Sequence, residues 1–135
     1  MGEGLASFQN RMRAIPEAVR EGVKPSLIRG ADMVADAMRS LAAVDEGDMR
    51  ASIQVTGPLE NTPPYSQPGG SGFVPENMAA VTVGNSNVRY PHLVEYGTTH
   101  SPAKPFFWPG FRLTRKKALT AIKAGMSRAI RKAGK

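Results

Sequence analysis

The chain has 135 residues, no cysteine, and a net charge of +7 from 18 Lys+Arg against 11 Asp+Glu. That length fits one domain burying roughly two-thirds of its unfolded surface, and the missing cysteines exclude disulfide staples and thiolate metal ligands. The opening MGEGLASFQNRMR lacks the apolar run of a signal peptide, and nothing approaches the about 18 apolar residues of a membrane span, so the expectation is a soluble protein made in a cytoplasm.

The first third reads as helix. Leu5, Phe8, Met12 and Ile15 recur at steps of three or four, Pro16 offers a fresh helix start, and Leu27, Ala31, Val34, Met38 and Leu41 continue the apolar stripe. Pro25 is expected to kink or interrupt that helix, with Ser26 available as a cap. The methionines read as core filling rather than as a Met-rich binding face. Asp45-Glu46-Gly47-Asp48 then ends the helix in a solvated turn, since its acids lack the alternating spacing of a calcium loop.

From Met49 the period changes to two. Ala51, Ile53 and Val55 alternate with polar residues, as do Ala79, Val81 and Val83 before Gly84-Asn85, which predicts two half-buried antiparallel strands. Between them residues 57–77 hold Pro58, Pro63, Pro64, Pro68, Pro75 and the run Gly69-Gly70-Ser71-Gly72, a composition that cannot build its own core. PGGSG lacks the GK[ST] ending of a phosphate loop. The segment reads as a flexible arm that orders on a neighbouring subunit, with Tyr65 and Phe73 as its contacts.

Tyr90 to Phe111, YPHLVEYGTTHSPAKPFFWPGF, concentrates aromatic residues among four prolines and two glycines. Pro91 and Gly97 bracket a short helix, with Leu93, Val94 and Tyr96 free to bury one side. Pro102, Pro105 and Pro109 deny backbone donors, so the rest crosses the surface as an extended strap. Phe106, Phe107 and Trp108 either close the core or anchor a neighbouring subunit. His92 and Glu95, three apart, share a helix face, but further ligands and a nucleophile are not apparent, so no catalytic, metal or cofactor site is expected. Glu95 instead suits a structural role, accepting from backbone donors around Gly97 and Thr98, or pairing with Arg89 or a basic residue of the last helix.

The last segment is an amphipathic helix. Leu113, Leu119, Ile122, Met126 and Ile130 mark its apolar side; Arg112, Arg115, Lys116, Lys117, Lys123, Arg128, Arg131 and Lys132 crowd the rest. Residues 1–95 carry 8 Lys+Arg and 11 Asp+Glu, 8 − 11 = −3, whereas residues 96–135 carry 10 Lys+Arg and no acid, +10. The positive charge belongs to one element, whose face is solvated or meets an acidic protein surface or DNA.

Two blocks carry a family resemblance. Tyr90, His92, Glu95-Tyr96-Gly97-Thr98, Pro102, Pro105-Phe106 and Pro109 resemble the "EfGT … PaqPFlrPa" signature of small head-tail connector and tail-component proteins of long-tailed bacteriophages. Upstream, Ala43 to Ile53, AVDEGDMRASI, resembles that family's "aPvdtGrLrdSI" element, with Ala43 and Glu46 departing from it. The resemblance implies a virion protein of the neck or proximal tail: a tail terminator or neck/tail-completion ring, often of six copies, between head connector or stopper and tail tube, around the channel that DNA crosses.

The expected architecture is α+β: a small antiparallel sheet packed by a long N-terminal helix and a basic C-terminal helix, with a long Gly/Pro-rich loop between strands. Thin core, open strand edges and a long arm all favour a closed head-to-tail ring, with Glu95, Gly97, Pro105, Phe106, Phe107, Trp108, Tyr65 and Phe73 at its contacts. The rival readings are a DNA-binding module acting through the basic helix, and a small hydrolase, which the residues support less.

Overall fold

A computed structural model describes residues 17–42 and 47–133. Leu5, Phe8, Met12, Ile15 and Pro16, and the turn expected at Asp45-Glu46, lie outside them. The order is helix α1 (Glu17–Leu41), a one-turn helix α2 (Gly47–Ala51), strand β1 (Gln54–Thr56), strand β2 (Ala80–Thr82), short helix α3 (Pro91–Tyr96) and long helix α4 (Phe107–Ala133). The two strands pair antiparallel with Val55 opposite Val81, and the architecture is the expected α+β.

α1 and α4 lie antiparallel, which their facing residues show directly: Gly22 sits against Ala129, Ser26 against Gly125, Gly30 against Ile122 and Met38 against Gly110. Small residues line this seam because the backbones approach closely. A Cβ built on Gly125 would lie 2.5 Å from the Ser26 Cβ, a separation that real carbons do not reach. That seam corrects the expected apolar side of α4. Ile122 and Met126 flank it, whereas Leu113 is 69% exposed and Leu119 and Ile130 are about half exposed, because a tight helix crossing pushes large side chains to its edges. Pro25 does not interrupt α1 either. It faces solvent, where the lost backbone bond is cheapest, while Gly22 and Ser26 hold the register on the packed side. Ser26 is a buried helix-interior residue rather than a cap, accepting from the Arg29 guanidinium at 3.2 Å.

The core sits where the sheet meets the helices. Val34, Ala35 and Met38 from α1 pack with Met49, Ile53, Val83, Phe106 and Phe107, and Val55 and Val81 lean on the same cluster. Leu41, expected on the stripe, is exposed. β1 starts later than the alternation predicts, because residues 47–51 are helical. Ser52 N–H returns to the Asp48 and Met49 carbonyls, and the Ile53 carbonyl accepts from the Arg39 guanidinium at 2.8 Å, so neither group is left for a ladder. Ser52 Oγ also accepts from Gly84 N–H at 3.0 Å, tying the entry of β1 to the exit of β2.

The Gly/Pro-rich stretch between the strands has a hydrogen-bonded frame. Leu59 N–H donates to Val74 O and Val74 N–H to Glu60 O, both at 2.8 Å; Thr62 N–H donates to Gly72 O at 2.9 Å, and Asn61 bridges Phe73. At its far bend Gln67 exchanges backbone bonds with Val83, which seats the arm beside β2. Proline and glycine thus shape a hairpin around Val74, which is buried, while Leu59 and Phe73 stand 60% and 62% exposed.

Candidate functional site

The strap is organised by one carboxylate. α3 opens with Pro91 at its first position, where a missing N–H costs nothing, and runs for six residues. Its buried face carries Pro91 and Glu95, i and i+4. This reverses the expectation for Leu93 and Tyr96, both exposed, with Val94 only half-buried. The reason is where Glu95 must point: its Oε1 accepts from Phe106 and Phe107 N–H, both at 2.9 Å, and its Oε2 from Trp108 N–H at 3.2 Å.

Those three amides open α4, a 27-residue helix with no acid in its own first turn. A helix N-terminus presents unpaired donors and the positive end of its dipole, so a carboxylate there is held by hydrogen bonds and charge together. Glu95 is therefore a cap supplied from 11 to 13 residues upstream. This replaces the expected partners around Gly97 and Thr98, and the alternative pairing with Arg89 or a basic side chain of α4. The buried site is 7% exposed at Glu95 and 1% at Phe106.

Between Glu95 and the start of α4 the chain turns tightly. Gly97 holds φ 78° and its N–H donates to Leu93 O at 2.9 Å; a Cβ there would lie 2.7 Å from Ala103 N, so the close approach as well as the dihedral requires glycine. Thr98 Oγ1 accepts from the His100 and Ser101 amides, closing the TTHS turn, and Lys104 N–H donates back to Val94 O at 2.8 Å. The aromatic residues then stack edge to face in series, Phe106 to Phe107, Phe107 to Trp108 and Trp108 to Phe111. Trp108 Nε1 donates to the Tyr96 hydroxyl at 2.8 Å.

Beside the strap lies a cleft of about 480 Å³ between α3 and the bend of the arm. The Arg89 guanidinium covers the Tyr65 ring at 3.7 Å, and Gln67 Nε2 and His92 Nδ1 are 3.0 Å apart. His92 and Glu95 both line this cleft but do not act as a pair, because both Glu95 oxygens already serve α4. Among the described residues no group of three or more His, Asp or Glu side chains could hold a metal ion, and no helix is long and apolar enough to cross a membrane.

The predicted contact residues thus separate. Glu95, Phe106 and Phe107 are buried within their own chain, Gly97 and Trp108 are half-buried, and Pro105, Tyr65 and Phe73 are exposed. For Phe106 and Phe107, whose expected roles were core closure or subunit anchoring, the rings take the core. All eight predicted basic positions of α4, Arg112, Arg115, Lys116, Lys117, Lys123, Arg128, Arg131 and Lys132, face solvent. Sequence reasoning missed the remote cap, whose one signal is a helix start without an acid of its own. It also missed the small-residue seam, legible as Gly22, Ser26 and Gly30 at steps of four.

Residues 6–97 match the model of a protein family described as "Bacteriophage HK97-gp10, putative tail-component". The match takes in the AVDEGDMRASI block and ends at Gly97, short of the prolines and aromatic residues of the strap. No curated protein and no solved structure matches the chain.

Proposed function

Since the chain belongs to the HK97-gp10-like family of phage tail components, we propose that it works as a structural ring of the neck or head-proximal tail end, joining head connector to tail tube around the DNA channel. A tail component is a virion protein that meets other virion proteins. The observation that carries it is the distribution of surface. The chain buries its aromatic strap at Phe106 and Phe107, yet leaves Leu59, Tyr65, Phe73, Met78, Leu113 and Leu119 exposed on a body with a two-stranded sheet. Surfaces of that kind are completed by neighbouring protein.

Identical copies arranged head to tail close into a ring when the rotation closes, which also covers strand edges. The eight exposed cations of α4 then face either an acidic neighbour or the DNA that crosses the channel. Native mass measurement of the protein, alone and with purified tail tube, tests this. A closed oligomer, or one that forms on tube ends, is the expected result; a monomer that ignores tubes and binds DNA tightly would overturn it. In that case α4 acts as a DNA-binding module, and affinity falls by orders of magnitude from low to moderate salt.

A further inference from the structure

We infer that the arm of one copy seats in a groove between α1 and α4 of the next copy, with Leu59 and Phe73 as its apolar knob and Glu60 as its charged edge. The inference rests on the ring reading and names the two surfaces that make the ring.

The groove has a volume of about 620 Å³. It is lined by Leu27 and Val34 of α1, by Trp108, Phe111 and Leu119 of α4, and by Val81 of β2. Protein interiors are packed to crystal-like density, so an apolar trough this large is a surface that another body fills. Its charge is of one sign: Arg115 lines it, and Arg112, Lys116 and Lys123 are exposed on the same helix.

The arm is the complement. Residues 51–88 contain two acids, Glu60 and Glu76, and no Lys or Arg. Leu59 and Phe73 lie on the two limbs of the arm's hairpin, Leu59 N–H bonded to Val74 O and Phe73 bridged to Asn61, and both are more than half exposed. Leu59 also holds φ 64°, a left-handed conformation strained for a leucine, while its side chain stays 60% exposed. Such strain persists where the positioned side chain is used. Pro68, from the bend of the arm, and Met78, just past its end, line the groove of their own chain, but neither Leu59 nor Phe73 does. Knob and groove therefore sit at separate places on one molecule, so their union is heterologous and propagates from copy to copy.

With no native cysteine, the contact can be trapped by Phe73→Cys and Leu119→Cys, which put one thiol on the knob and one in the groove. Under mild oxidation the double variant should give a ladder of covalent oligomers ending at the copy number of the ring, and a mixture of the two single variants should give heterodimers alone. A ring of full mass that never forms the 73–119 bond overturns the inference and leaves the ring standing. A protein that stays monomeric with tail tube present removes the ring reading itself. A 73–119 bond within one chain, or one from Met12→Cys to Leu119→Cys within one chain, shows that the chain's own arm or its first residues fill the groove, and overturns the inference as well.

Discussion

Replacing Glu95 by alanine should unseat the start of α4 without touching a single exposed side chain. The carboxylate receives three backbone N–H groups at 2.9, 2.9 and 3.2 Å, two of them buried. A side-chain cap is worth about 0.5–2 kcal/mol, a charge at the dipole end up to about 2, and each orphaned buried donor costs about 1–3. These terms overlap, and water can reach the half-buried Trp108 amide, so a net loss of about 2–4 kcal/mol follows rather than their sum. For a chain of this size that lowers Tm by roughly 6–15 °C. Glu95→Gln keeps one acceptor oxygen but turns an amide nitrogen toward a donor and gives up the charge, so its loss should be about half as large. Urea unfolding of parent, Glu95→Gln and Glu95→Ala, with the slope unchanged, measures the series. If Glu95→Ala unfolds within about 0.5 kcal/mol of the parent, the range of an ordinary surface change, the carboxylate does not hold the helix and the reasoning fails.

Two further outcomes test the seam and the groove. Gly125→Ala should cost about 1–3 kcal/mol by overpacking against Ser26, and Ser26→Gly in the same chain should recover part of it, seen as non-additivity in a denaturation cycle. Glu60→Arg and Arg115→Glu should each weaken self-association about tenfold and restore it when combined, read by sedimentation at low and moderate salt. Additive losses in that pair would separate the arm's charge from the groove's.

Local signals carried the sequence reading furthest. Pro91 and Gly97 set the bounds of α3 by backbone chemistry alone, and the alternation around Val55 and Val81 marks both strands and their pairing. The misreadings came where a partner is distant. Leu113, Leu119 and Ile130 satisfy the helical period, but the face that packs is chosen by how closely two backbones meet, and that is written in Gly110, Ala118 and Gly125 instead. Leu93 and Tyr96 lose the buried side of α3 to a glutamate, because its three donors lie on another element. The arm's composition signals no core, yet main-chain hydrogen bonds between residues 59 and 74 need none. Of the site, the strap's rigidity was legible from its prolines. Its anchor was not, since nothing in single-sequence spacing links residue 95 to residues 106–108.

Glu95 is also the final acid of the sequence, and it is used up at the root of α4. Beyond it lie ten positive side chains with no counter-charge of their own. Each copy added to an assembly brings the same one-signed rod, and rods closer than the screening length, about 8 Å in physiological salt, repel one another. Packing copies side by side thus requires their α4 helices to splay apart, to meet acids of a neighbouring chain, or to share a polyanion. In the proposed ring, ionic strength would then act through this one helix on how densely copies can pack.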